Sequence, residues 1–211
     1  MKHKSLLSVF IIAIVLMLTS CIDYVQSITY SNGKYHLYHK VTLSKLLLEM
    51  ADEDAEYFVD EILETSSYEL PENVTMKGVN TETEAGFEFI LDVDPKTATE
   101  DEKAFLPTKS GDKYFIPFYV SEMMSDFDDF DDVDLDDSFT LAMFSTGKVR
   151  VMIAKNIIPS IKEAYFEAED DENFYISVFD YGNNYSLEIP FLLFFDEYLY
   201  DLDRIVITRG E

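Results

Sequence analysis

The sequence predicts a single α+β domain dominated by antiparallel β-sheet, with one main helix near 43–65. Three observations carry that prediction. Asn32-Gly33 sits between two runs in which apolar residues alternate with polar ones. Behind it comes the one long stretch of helical spacing, over 43–65. Beyond that, short segments rich in Val, Ile, Phe and Tyr recur with turn residues between them, as expected for strands. The chain from Cys21 to Glu211 is long enough to bury roughly 70% of the surface its unfolded form exposes, so neither disulfide nor metal is needed to fold it.

The first element is a hairpin. Tyr24–Tyr30 and Tyr35–Thr42 flank Ser31-Asn32-Gly33-Lys34, and Asn-Gly favours the two-residue turn because both residues accept positive φ. Pairing outward sets Tyr30 opposite Tyr35, Ile28 opposite Leu37 and Tyr24 opposite Val41, all on one face. His36, Tyr38, Lys40, Ser27 and Thr29 fall on the other, wet face.

Residues 43–65 then switch period. Leu43, Leu46, Leu47 and Met50 fall at i, i+3, i+4 and i+7, followed by Tyr57, Phe58, Ile62 and Leu63. Asp52 and Asp54 are candidate caps for a second segment, giving one long helix or two short ones. A shorter helix is predicted at 100–105, where Thr99 and Glu102 have capping-box spacing and Pro107 prevents extension. The stretch 157–167 is open between helix and strand: Ile161, Ala164, Tyr165 and Ala168 suit a helix with Pro159 in its first turn. Strands are predicted at 73–79, 86–92, 113–120, 139–145, 148–155, 174–180, 186–195 and 203–208, with turns at Thr146-Gly147 and Gly182-Asn183-Asn184. Pro117 and Pro190 cannot donate to a ladder, which places each at an edge, a bulge or a strand start.

Charge narrows the function. The chain has 42 Asp and Glu against 16 Lys and Arg, a net charge of −26, and every acid lies after Cys21. Such a field repels phosphate backbones and excludes nucleic acid as a partner, while suiting a protein or other cationic partner. Between Asp23 and Glu49 no acid occurs, and Lys34, Lys40, Lys45, His36 and His39 cluster there, which suggests a mildly basic base beneath an acidic body.

The amino terminus has the layout of an export signal. Lys2, His3 and Lys4 precede an apolar run from Leu6 to Leu18, too short for a comfortable membrane span. Leu18-Thr19-Ser20-Cys21 resembles the lipobox of bacterial lipoproteins, in which an aliphatic and two small residues precede the modified cysteine. That resemblance implies cleavage after residue 20, diacylglyceryl attachment to the Cys21 thiol and acylation of the new amino terminus by a fatty acid such as palmitate. Two or more acyl chains anchor stably where one does not. Cys21 is the only cysteine, so the mature domain 21–211 forms no internal disulfide. Ile22 follows it, and by resemblance to proteobacterial lipoproteins the lack of Asp there favours outer-membrane or cell-surface sorting. Ser31-Asn32-Gly33-Lys34-Tyr35, Ala154-Lys155-Asn156-Ile157-Ile158-Pro159-Ser160-Ile161 and Leu187-Glu188-Ile189-Pro190-Phe191 are similar to phrases of uncharacterised spirochaete lipoproteins, a resemblance that spans most of the mature chain and brings no catalytic residues with it.

Reactive groups are sparse. Of the histidines only His36 and His39 survive export, and three residues apart in a strand they point to opposite faces. Neither His-Glu-x-x-His nor Gly-x-Ser-x-Gly occurs, and Ser145-Thr146-Gly147-Lys148 lacks the flanking residues of a phosphate loop. The acidic loop 125–138 carries Asp126, Asp128, Asp129, Asp131, Asp132, Asp134, Asp136 and Asp137. Asp132, Asp134 and Asp136 have the alternate spacing of an EF-hand start, but Asp137 stands where glycine is needed and Met143 where the bidentate Glu belongs. The run reads as a solvated segment binding cations diffusely. No catalytic, cofactor-binding or metal-ligating residue is assigned; Cys21 alone is singled out, as the lipidation site. The expectation is a non-enzymatic binding, scaffold or surface module of the cell envelope, with a carboxylate-based envelope hydrolase or a carrier of an apolar ligand as alternatives.

Overall fold

The computed structural model describes residues 22–50, 52–66, 74–118, 147–167, 173–191, 193 and 204–210. They form twelve strands and three helices. The strands are β1 (Ile22–Ser31), β2 (Lys34–Ser44), β3 (Thr75–Asn80), β4 (Glu84–Val93), β5 (Thr108–Ser110), β6 (Lys113–Pro117), β7 (Lys148–Ala154), β8 (Ile161–Glu167), β9 (Asn173–Tyr175), β10 (Ser177–Tyr181), β11 (Asn184–Pro190) and β12 (Arg204–Arg209). The helices are α1 (Lys45–Met50), α2 (Ala55–Ser66) and α3 (Glu100–Ala104). Seven strands make one sheet in the order β10-β11-β7-β1-β2-β4-β3, and five make a second, β5-β6-β12-β8-β9. Every pairing is antiparallel except β1 with β7. The α+β class, dominated by antiparallel sheet, is what the sequence predicts.

The first hairpin has the predicted register, with Tyr30 opposite Tyr35, Ile28 opposite Leu37 and Tyr24 opposite Val41. Asn32 and Gly33 take φ of 52° and 81°, both positive as the two-residue turn demands. The inward face of this hairpin and of β4, β7 and β11 meets the second sheet across one core. Tyr24, Ile28, Leu37, Leu91, Val151, Ile153 and Leu187 pack there with Ile116, Phe118, Phe166, Ile205 and Ile207. Phe118 bridges the layers, its ring centroid 6.2 Å from Tyr24 and 5.3 Å from Phe166.

Helices α1 and α2 close the β3–β4 end of the larger sheet. Leu48 and Val59 pack on Ala85, and a Cβ at Gly78 would lie 2.5 Å from Val59 Cγ1. Glycine in β3 therefore lets α2 seat on the strand. The 43–65 stretch is two short helices, not one. Asp52 turns left-handed (φ 59°), its N–H donating to Glu49 O and that of Glu53 to Leu48 O, which terminates α1. Asp54 Oδ1 then accepts from the N–H groups of Glu56 (2.9 Å) and Tyr57 (3.0 Å), starting α2. Helix α3 carries the complete Thr99–Glu102 capping box.

One open reading resolves, and one expectation needs correction. Residues 161–167, open between helix and strand, form strand β8. Pro117 and Pro190 each sit at the last residue of an interior strand, rather than at an edge, a bulge or a strand start. The predicted strand 139–145 and Thr146 lie outside the described residues.

Candidate functional site

Cys21 and the acidic loop 125–138 lie outside the described residues. What the structure gives is the residue after Cys21: Ile22 opens β1, is 4% exposed and pairs with Leu43. The basic stretch that follows in sequence is dispersed. Lys34 lies at the far end of the hairpin, about 30 Å from Ile22 at 3.3 Å per residue. His39 is buried and Lys40 pairs with Glu84 at 2.9 Å. An out-and-back ribbon carries neighbours in sequence away from the end where it starts, so these residues build no single basic base.

The two histidines face opposite ways, as their spacing predicts. His36 is half-exposed on the outer face of the seven-stranded sheet, with Nε2 2.8 Å from Ser31 Oγ and Nδ1 2.7 Å from Asp92 Oδ1. His39 points into the core, Nδ1 3.1 Å from the Tyr24 hydroxyl, its ring stacked on Phe89 at 4.3 Å. Burial pushes its pKa down to about 3, so it is neutral. Gln26 stands directly opposite His39, and its Nε2 donates across to the Pro117 carbonyl at 3.0 Å, tying the two sheets together. Gln26 Oε1 has no hydrogen-bond partner among the described residues. Sequence reasoning overlooked Gln26, although its parity with Tyr24 and Ile28 places it on the inward face. Enclosed at 1–2% exposure, Gln26 and His39 fasten the core instead of meeting a substrate.

The outer face of the larger sheet is polar. Its charges are matched across strands: Lys148 with Glu188 at 3.0 Å, Arg150 with Asp23, and Lys40 with Glu84. Tyr38 donates to Glu88 at 2.9 Å, and burial together with that bond raises the phenol to about 12. On the other face of the sheet margin, Lys155 reaches Asp180 at 2.7 Å and holds its carboxyl below the ordinary range. Among the described residues no group of three or more His, Cys, Asp or Glu is disposed to hold a metal ion. Surface pairs of this kind add little stability each; their effect here is to leave a wet face without a concentrated field.

At the β10 margin the character changes. Phe179 and Tyr181, 42% and 59% exposed, stand on this outer face with ring centroids 6.5 Å apart. Tyr175, the last residue of β9 in the smaller sheet, is 61% exposed. The sequence signal was present in the alternation of Val178, Phe179, Asp180 and Tyr181, but it does not say which rings stay uncovered. On the smaller sheet the outward Phe115 and Tyr165 are instead capped by Arg204 and Lys113, at 5.1 and 5.7 Å from the ring centroids. Comparison with known protein families, with curated proteins and with solved structures finds no match.

Proposed function

We propose that the chain is a cell-envelope lipoprotein, held to a membrane by acyl chains on Cys21, whose β-sandwich is a non-enzymatic binding or scaffold module at the outer membrane or cell surface. The observation that carries the reading is the position of Ile22. The residue after the lipobox cysteine is already a buried, paired member of β1, so an acylated Cys21 holds the sandwich against the bilayer without a spacer. No helix among the described residues is long and apolar enough to cross a membrane, and the lipid supplies the attachment. The paired charges of the outer face support a stable platform over a reactive centre, since each carboxylate there already has a cationic or hydroxyl partner.

The test is metabolic labelling with a fatty acid in cells making wild type or Cys21→Ser. Wild type takes up label and partitions with membranes; the variant is unlabelled and either unprocessed or released. Equal labelling of the two overturns the reading.

A further inference from the structure

We infer that strand β10 is a docking edge for an extended, basic segment of a partner protein, which adds to the seven-stranded sheet as an eighth strand. The inference deepens the binding-module reading and rests on it, not on the anchor. Sheets end in unpaired N–H and C=O groups, and proteins blunt such edges by shortness, lysine, proline, bulges or cover. Three of the four edges here are blunted in those ways. β5 and β9 are three residues each, and β5 has Lys109 at its centre. β3 carries Lys77, and α2 packs on it at Gly78.

Among the described residues β10 has none of these devices. It is five residues long, Ser177-Val178-Phe179-Asp180-Tyr181, without lysine or proline, and pairs with β11 from Ser177↔Glu188 to Tyr181↔Asn184 with no register shift. Its turn has positive φ at Gly182 (68°) and not at Asn183, the pattern of a tight two-residue hairpin. Tyr181 and Asn184 are then a hydrogen-bonded pair, and alternation turns the N–H and C=O of Val178 and Asp180 away from β11. Those four groups make the unpaired edge. Phe179 and Tyr181 flank it on the outer face, exposed and placed to receive alternate side chains of an added strand.

Charge selects the occupant. A second copy would bring together two chains of net charge −26. A basic strand is drawn in by the same field; Asp180 on β10 is already paired with Lys155 at 2.7 Å, so the attraction is to the net charge of the chain and not to one carboxylate.

The probe is a short synthetic peptide alternating lysine with valine and phenylalanine, added to the full chain in detergent. Binding should fall with salt and should slow amide exchange at Val178 and Asp180 at least tenfold, leaving β3 unchanged. Phe179→Lys, which installs the missing edge lysine on an exposed site, should weaken binding at least tenfold without altering the melt. N-methylation of the peptide along one edge should abolish binding. Equal binding by Phe179→Lys or by the N-methylated peptide overturns the inference, as does binding without protection of Val178 and Asp180, or no binding at all. Protection that appears without peptide and grows with protein concentration would make the occupant a second copy and overturns it too. An envelope protein that co-purifies with wild type and with Phe179→Lys alike removes the β10 site while leaving the module reading in place.

Discussion

Gly33 and His39 show how differently two residues of one hairpin are constrained. Gly33 sits at φ 81° with nothing within 4 Å of the place a Cβ would occupy, so only the backbone conformation demands glycine. Gly33→Val should therefore cost about 1–2 kcal/mol through φ strain alone, measured by urea denaturation. His39 is constrained by its surroundings. Its pKa is about 3 folded and 6.5 unfolded, so between those values the unfolded chain binds the extra proton. Stability from this group is thus complete above pH 6.5 and is lost as pH falls toward 3, at up to about 1.4 kcal/mol per pH unit. Denaturation of wild type and His39→Leu across that window checks it: the gap should move against wild type as the solution is acidified. A gap that does not change with pH would contradict a buried neutral imidazole.

The first hairpin was legible because one of its faces is wet, whereas the exposed β5 was missed and the predicted strand 174–180 divides into β9 and β10, in different sheets. The first hairpin alternates cleanly because only its inner face is covered, and Asn32-Gly33 fixes its register. β8 was not legible because Ala164, Tyr165 and Phe166 are buried in succession, with Lys113 and Tyr175 over the outward ring of Tyr165. Covering both faces erases the alternation, and what remains imitates a helical period. The 43–65 segment is open between one helix and two because its apolar spacing continues through the break, and the stop is written in Asp52 and Asp54, the two candidate caps. Asp54→Ala should cost about 1 kcal/mol by removing the acceptor for two amide groups at the start of α2. Gly78→Val should do more, because its side chain must displace Val59; amide exchange in α2 should then quicken while β1 and β2 hold. Uniform exchange changes would contradict the local seating of α2 on β3.

At the scale of the whole molecule, residue patterns carry the fold class and composition carries the charge, whereas the tie from Gln26 to the Pro117 carbonyl and the edge position of β10 are not written in any local pattern. Both depend on which strands become neighbours, and that is settled by burial over long sequence separations. The net charge of −26 carries its own expectation. Salt should raise the melting temperature by screening self-repulsion, and calcium and magnesium at matched ionic strength should act alike. A calcium-selective shift lost on deleting 126–137 would instead point to a specific site in the acidic loop. Mass spectrometry of the amino-terminal peptide from membrane-extracted protein tests the proposed attachment at Cys21, immediately before a folded strand. The expected peptide begins at Cys21, carries a diacylglyceryl group on sulfur and continues into Ile22-Asp23-Tyr24. A peptide that retains residues 1–20, or an unmodified Cys21 on membrane-bound protein, would contradict it.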